Sequence, residues 1–157
     1  MPLTVVAAIA GFLVVSSIGR SPPAKDSRAT ADRTPTVAVR RTRLGRVLVS
    51  ARGRTLYLFR EDGSRSTCFA ACAQVWPPLL VSGRPRAGRG VDARKLTTVP
   101  RRHSKLRQAA YAGHPLYTTT GDTRPGQTEG QGFLGTWFVV SPAGRQVGKA
   151  SASAGGY

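Results

Sequence analysis

The sequence contains few of the side chains from which catalytic and metal sites are usually built. Among its 157 residues, seven are Asp or Glu, two are His and two are Cys. It also lacks the Gly-x-Ser-x-Gly, His-Glu-x-x-His and phosphate-loop signatures of common enzyme classes. These absences favour a non-enzymatic protein, and they indicate no cofactor and no catalytic residue.

The acidic residues that are present do not form an obvious reactive pair. Glu61 and Asp62 are adjacent, so on a strand they would point to opposite faces and could not act together as acid and base. The glycine-rich stretch 121–132 contains Asp122 and Glu129, which are too few carboxylates for a calcium loop. We expect this stretch to be a long structured turn.

Positive charge and turn-forming residues, by contrast, are abundant. The 24 Lys and Arg residues give a formal net charge of +17, and there are 18 Gly and 11 Pro. This composition disfavours a helical bundle and predicts a turn-rich, mostly β domain. Such a charge attracts anionic polymers, lipid head groups or nucleic acid at low salt. Twenty of the 24 basic residues are Arg, which also fits a GC-rich genome, so no specific nucleic-acid partner is indicated.

An uncharged apolar segment occupies residues 3–18. As a helix, its sixteen residues would span about 24 Å, less than the ~30 Å hydrocarbon core of a bilayer. This length is typical of a signal peptide, and small residues such as Ser17 and Gly19 follow it. We expect 1–19 to be a cleaved signal peptide, with an uncleaved N-terminal anchor as the alternative. No Cys lies near this segment, so we expect no lipid attachment there. With either alternative, we expect an exported protein of the extracellular space or the cell envelope.

The segments on either side of the central region are rich in small and polar residues. Residues 20–43 contain three prolines and many basic residues, and they predict a disordered linker. Such a linker would lie against anionic envelope polymers or lipid head groups, which are the predicted partners. We expect residues 143–157 to be a flexible tail.

The central region repeats itself. Four residues of one stretch recur sixty positions later in the same order: Gly53, Leu56, Tyr57 and Asp62 match Gly113, Leu116, Tyr117 and Asp122. This fixed offset predicts a domain at 44–142 made of two copies, about 44–90 and 91–142. A second similarity aligns residues 44–49 with residues 134–139.

The local pattern within the copies is that of β-strands. Alternating apolar residues and turn signals predict strands at 46–50, 54–59, 96–99, 108–111, 116–119 and 136–140. The alanine-rich stretch 68–75 predicts a short helical turn that ends before Pro77. The predicted fold is therefore a small, mostly β domain (α+β), antiparallel and built from two related halves with one short helix.

Cys68 and Cys72 predict a disulfide, because an even pair of cysteines in an exported protein usually bonds. Residues i and i+4 of a helical turn lie about 6 Å apart, within disulfide reach. The alternative is a redox or metal-handling module. In that case Cys68 and Cys72, together with His103 and His114, would bind copper or zinc.

Four blocks of the sequence carry a family resemblance: TLYLFRED, CFAACAQVWPPL, GHPLYTTTGDTRPGQTEGQG and LGTWFVVSP. They resemble the bacterial secreted-repeat, predicted-lipoprotein family, which is marked by Tyr-x-aromatic-x-x-Asp. The first copy fits this motif with Tyr57, Phe59 and Asp62. In the second copy Tyr117 and Asp122 fit, but Thr119 replaces the aromatic residue. The resemblance covers about residues 44–142 and implies an exported protein with no established biochemical activity.

The repeated motif has two interpretations. In the structural one, Tyr57 and Phe59 share one strand face and enter the core, while Asp62 caps the following turn. In the binding one, the Tyr and Asp residues of both copies line a shared cleft for a sugar or a cationic ligand. The candidate binding set is completed by two tryptophans, Trp76 and Trp137. We expect an exported, non-enzymatic envelope protein of Gram-positive, actinobacterial type.

Overall fold

The structure, a computed structural model, describes residues 36–148. The elements in this part of the chain are β1 (Val37–Thr42), β2 (Gly45–Ser50), β3 (Tyr57–Phe59), α1 (Ala71–Val75), β4 (Leu80–Val81), β5 (Leu96–Val99), β6 (Arg107–Tyr111), β7 (His114–Pro115), a 3₁₀ turn (Phe133–Gly135) and β8 (Trp137–Val139). The predicted signal peptide or anchor at 1–19, the linker up to residue 35 and the tail from residue 149 lie outside the described residues.

The strands pair antiparallel. β1 pairs with β2 along its whole length, β3 pairs with β8, and β6 pairs with β4, β5 and β7. α1 is a single short helix within the described region, and it ends before Pro77 as the sequence predicted. The predicted fold class, a mostly antiparallel β domain from two halves with one short helix, is confirmed.

The two halves repeat the same backbone bonds. In the first copy, which contains β1 to β4, the Leu56 amide donates to the carbonyl of Leu48 at 2.9 Å. In the second copy, which contains β5 to β8, the Leu116 amide donates to the carbonyl of Ala109, also at 2.9 Å. β2 therefore corresponds to β6, and β1 corresponds to β5.

The last strand of each copy pairs with the other copy. The Leu48 amide of the first copy donates to Val140 of the second at 2.9 Å. The equivalent bond runs from Ala109 of the second copy to Leu79 of the first, at 2.8 Å. The β3–β8 and β4–β6 ladders also join one copy to the other. Neither copy therefore contains a complete set of strand partners.

Two apolar clusters form the core. Along residues 56–59, which include β3, alternate side chains pack in different clusters. Leu56 and Leu58 pack in one cluster with Leu48, whereas Tyr57 and Phe59 face the other. This alternation confirms the two faces predicted from the sequence. The second cluster contains the site described below.

The predicted linker at 20–43 is wrong at its C-terminal end, because β1 forms there. Val37 is fully buried, and β1 is in register with β2 from Val37 opposite Ser50 to Thr42 opposite Gly45. The physical reason is a short apolar run, 37–39, which suffices for a strand once β2 supplies the backbone partners. The exposed Arg40 and Arg41 that follow gave this segment its linker-like composition.

The start of the predicted flexible tail is also ordered. The Val147 amide donates to the carbonyl of Val139 at 2.8 Å, and Val147 packs against the second cluster. A tight turn at Gly144 brings the chain back: the Ser141 amide donates to Arg145 O at 2.9 Å. The chain thus extends beyond the predicted domain end and adds to the β8 edge.

Two hairpins connect neighbouring strands at positions where the sequence predicted strands. β5 and β6 pair from Leu96 opposite Tyr111 to Val99 opposite Gln108, as predicted. The chain also turns at 51–53, where Gly53 has φ 75°. However, this hairpin is short, because the ladder partner of β2 is β1 of the same copy and that of β3 is β8 of the other copy.

Candidate functional site

The motif tyrosines of the two copies meet at the centre of the molecule. The Tyr57 amide donates to Tyr117 O at 2.9 Å, and the Tyr117 amide donates to Tyr57 O at 3.0 Å. Both residues have no exposed surface. This reciprocal pair of bonds places the approximate twofold relation of the copies between the two tyrosines.

Each tyrosine hydroxyl donates to the motif aspartate of the other copy. The Tyr57 hydroxyl lies 2.7 Å from Oδ2 of Asp122, and the Tyr117 hydroxyl lies 2.6 Å from Oδ2 of Asp62. The four residues predicted to share a cleft are therefore brought together, but as two buried pairs that join the copies. We call these four residues the reciprocal Tyr–Asp centre.

The second carboxylate oxygen of each aspartate fixes the loop that follows it. Oδ1 of Asp62 accepts hydrogen bonds from the Thr67 amide at 2.7 Å and from the Thr67 hydroxyl at 2.6 Å. Oδ1 of Asp122 accepts from the Glu129 amide at 2.9 Å. The structure thus gives each aspartate the turn-capping contacts that the structural interpretation predicted for Asp62.

Burial changes the acidity of these groups. Desolvation is the main cause that raises the pKa of the Tyr57 and Tyr117 hydroxyls above the usual 10, and the bonded carboxylates raise it further. Both tyrosines therefore remain protonated donors at neutral pH. Desolvation also raises the pKa of Asp122, although the hydrogen bonds from Tyr57 and Glu129 act in the opposite direction.

An arginine that the sequence did not single out supports the centre on one side. Arg101 donates to the Ser66 hydroxyl and to the Cys68 carbonyl, each at 2.7 Å. Ser66 in turn shares a 2.7 Å hydrogen bond with the Tyr117 hydroxyl. The guanidinium also lies over the Phe69 ring at 4.5 Å. The only signal in the sequence was a basic residue directly after Pro100.

The aromatic members of the candidate set form a stack beside the centre. The Trp76 and Trp137 rings lie 3.9 Å apart at 4°, and Phe59 stacks on Trp137 at 4.3 Å. Tyr57 meets Trp76 edge-on at 5.4 Å, and Tyr117 meets Trp137 at 5.1 Å. Both tryptophans are buried, so the stack is part of the core. Every buried side-chain nitrogen and oxygen between residues 36 and 148 has a hydrogen-bond partner.

Gly130 completes the packing around the stack. A Cβ added there would lie 2.6 Å from a Trp76 ring carbon and 3.0 Å from Tyr57. Its amide donates to the Tyr57 hydroxyl at 3.3 Å. The glycine-rich stretch 121–132 is therefore a structured turn, as predicted, and at Gly130 the glycine is required for space.

Cys68 and Cys72 are joined in a disulfide, as the sequence predicted. Both sulfurs are in the bond, so the alternative metal set of Cys68, Cys72, His103 and His114 lacks its thiolates in this form. Across the described residues, no three His, Cys, Asp or Glu side chains form a group that could hold a metal ion. His103 is exposed in the loop between β5 and β6, and His114 lies in β7.

A groove of about 1100 Å³ opens beside the reciprocal Tyr–Asp centre. It is lined by four arginines, by serine and threonine hydroxyls and by a short apolar floor; the arginines are Arg52, Arg54, Arg84 and Arg86. Asp122 reaches it from the centre. Sequence reasoning missed this groove, although the spacing Arg-x-Arg around a turn residue occurs twice, at 52–54 and at 84–86.

A smaller, more apolar cavity of about 460 Å³ lies on the side of the aromatic stack. Cys72, Trp76, Phe133 and Leu134 are among its lining residues. Leu134 is 79% exposed and has φ 51°, so the 3₁₀ turn projects this side chain outward.

Comparison with known proteins identifies the family but gives no closer relative. Between residues 36 and 148 no helix is long and apolar enough to cross a membrane. No curated protein and no solved structure matches the chain. A family model described as a secreted repeat of unknown function matches twice, at residues 38–80 and 101–141. Each match lies within one of the two strand-exchanged copies, with β5 just before the second match, and the chain belongs to this family of secreted repeats.

Proposed function

We propose that this protein is an exported, non-enzymatic binding module that attaches to anionic polymers of the cell envelope. One observation carries the proposal: the polar groups of the repeated motif bind within the protein and hold the two copies together. The hydroxyls of Tyr57 and Tyr117 and the carboxylates of Asp62 and Asp122 bond to one another and to loop backbones. The family signature therefore supports a scaffold, and binding is assigned to the surface.

The charge of the surface supports an anionic partner. The chain carries a formal charge of +17, and its arginines far outnumber its acidic residues. The ion pairs Arg43–Glu129 and Arg94–Asp92 lie at the surface, where such pairs contribute little to stability. A surface with an excess of cationic side chains attracts polyanions. Binding then releases the counterions that had condensed on the polyanion, which favours the complex at low salt. The basic segment 20–35 adds to this charge, and residues 1–19 are proposed to direct export.

The proposal is tested by retention of the full-length protein on immobilised polymers. We expect retention on poly(glycerol phosphate) and on polygalacturonate at low ionic strength, and none on a neutral glucan. Affinity for the anionic polymers should fall steeply as salt rises, because released counterions oppose binding.

Equal retention on the neutral glucan, or retention on polyanions that is unchanged at about 1 M salt, where the screening length is about 3 Å, would contradict the proposal. The matched control is the protein with its Tyr57 hydroxyl removed, Tyr57→Phe. It should bind as the wild type does, because the Tyr57 hydroxyl is buried and its partner is internal.

A further inference from the structure

We infer that the arginine-lined groove is the binding site for a phosphodiester-linked polyol or sugar chain. This inference rests on the proposed function, since it names the place and the chemical class of the anionic ligand. It depends on three features of the groove: two arginine pairs on a fixed backbone, three guanidinium groups without hydrogen-bond or ion-pair partners among residues 36–148, and a wall with serine and threonine residues.

The first arginine pair stands on a rigid turn. Arg54 is held by the Ser50 amide, which donates to its carbonyl at 2.8 Å. Gly53, between the two arginines, accepts from the Gly126 amide at 3.0 Å. A Cβ at Gly53 would lie 3.0 Å from Pro125, so the turn packs closely against the glycine-rich loop. Arg52 and Arg54 therefore project from a backbone that is fixed before any ligand binds.

The second pair stands on the other wall and is fixed in the same manner. The Thr36 amide donates to Arg86 O at 2.9 Å, and the Arg86 amide donates to the Thr36 hydroxyl at 3.1 Å. Pro85 between the two arginines is buried. This segment is thus tied to the start of β1, and Arg84 extends from it into solvent beside the groove.

Three of the four guanidinium groups are available to a ligand. Those of Arg52, Arg54 and Arg84 make no hydrogen bond or ion pair within residues 36–148, whereas Arg86 has contacts of its own. The charge of Arg54 also acts on the Asp122 carboxyl, whose pKa it lowers. Among the lining residues Asp122 is the one carboxylate, and it is almost fully buried and bonded to Tyr57. The groove therefore has excess positive charge that an anion would neutralise.

The other lining groups indicate what separates the anionic groups of the ligand. Ser82, Thr120 and Thr123 contribute to the lining, and so do Leu79 and Val81. Arginine forks suit phosphate oxygens, and hydroxyls suit the alcohols of a polyol or sugar. A repeating phosphodiester chain carries both kinds of group, so its composition matches that of the lining.

The experiment compares two charge-matched triple variants of the full-length protein by calorimetric titration with poly(glycerol phosphate). The groove variant is Arg52→Gln/Arg54→Gln/Arg84→Gln. The control variant, Arg41→Gln/Arg102→Gln/Arg145→Gln, removes exposed arginines that do not line the groove. Each lost charge-assisted contact costs on the order of tenfold in affinity, so we expect the groove variant to bind at least about thirtyfold more weakly. The control variant should bind within about threefold of the wild type.

Other outcomes would overturn the inference in distinguishable ways. Equal weakening in both triple variants would reject the groove but leave charge-driven attachment intact. Polygalacturonate or duplex DNA bound with the same groove dependence would reject the phosphodiester-polyol class. No binding by the wild type to any polyanion would reject the proposed function as well. If the groove triple variant does not fold, Arg52→Gln/Arg84→Gln against Arg41→Gln/Arg145→Gln gives the same comparison with two exposed residues on each side.

Discussion

At the level of single residues, the motif tyrosine and aspartate of one copy are not partners of each other. Tyr57 bonds to Asp122, 65 positions away, and Tyr117 bonds to Asp62. The sequence showed which residues recur, and the strand pattern correctly placed Tyr57 on the core face. It could not show the crossing, because the same four residues could also have paired within each copy.

The crossing predicts a specific pattern of energetic coupling. Tyr57→Phe should destabilise the protein by about 1–3 kcal/mol, because a buried carboxylate loses a donor. In double-mutant cycles measured by urea denaturation, Tyr57→Phe should couple to Asp122→Asn and not to Asp62→Asn. Tyr111→Phe is the matched control, since the Tyr111 hydroxyl donates to the Pro142 carbonyl at 2.9 Å rather than to a carboxylate. Coupling of Tyr57 to Asp62 instead would show that the pairs form within copies.

The raised tyrosine pKa values predict a loss of stability at high pH. In the unfolded chain these hydroxyls ionise near pH 10, whereas in the folded protein they ionise at higher pH. Their contribution is therefore complete below about pH 10 and is lost as pH rises towards the folded pKa, because only the unfolded state releases the protons. Melting temperatures recorded between about pH 8 and pH 11.5 should fall above pH 10. The Tyr57→Phe/Tyr117→Phe variant should show a shallower fall, and an unchanged slope would contradict this account.

At the level of elements, the glycine-rich loop 121–132 is the turn that the sequence predicted, but its glycines are needed for two different physical reasons. Its glycines predicted a turn through their backbone freedom, and Gly126 and Gly132 do adopt positive φ. Gly130 is not among the positive-φ residues, and its role is to let Trp76 approach the backbone. Such close approach depends on a partner from the other copy, so local pattern could not reveal it.

Gly130→Ala should therefore destabilise the protein by about 1–3 kcal/mol through overpacking against Trp76. Gly63→Ala is the matched control, because no atom lies within 4 Å of the added Cβ and its φ is not positive. Chemical denaturation followed by tryptophan fluorescence measures both. Similar costs for the two substitutions would show that the Trp76 contact is unimportant.

Strand pairing was the least predictable feature of the elements. The positions of β5 and β6 followed from alternation, but β1 was missed because Arg40 and Arg41 masked its apolar start. The similarity between residues 44–49 and 134–139 is not a structural equivalence. Val47 lies in β2, which corresponds to β6, whereas Trp137 occupies in its copy the place of Trp76. The two tryptophans, 61 residues apart, were the signal that would have given the correct alignment.

At the level of the whole molecule, the exchange of last strands makes each copy depend on the other. We expect fragments 36–90 and 91–148 each to remain unfolded alone. In either fragment, strands that pair with the other copy would have no hydrogen-bonding partner. Mixed in equal amounts, they should associate and restore the native near-ultraviolet circular dichroism, because the Trp76–Trp137 stack forms between copies. A fragment that gives a cooperative melting transition as a monomer would contradict strand exchange as the basis of stability.

The segment that joins the two copies has a thermodynamic role beyond connection. Residues 82–95 run from β4 of the first copy to β5 of the second and tether one copy to the other. A short covalent tether makes the association of the copies intramolecular, with an effective concentration in the millimolar range. A pair of separate copies would instead dissociate on dilution outside the cell. Covalent fusion also allows the two copies to differ in sequence. In a symmetric dimer each substitution occurs twice, whereas in a fused chain it occurs in one copy. The copies do differ: the first has Phe59 where the second has Thr119, and the disulfide lies in the first copy. A dimer of two identical chains could not have these differences.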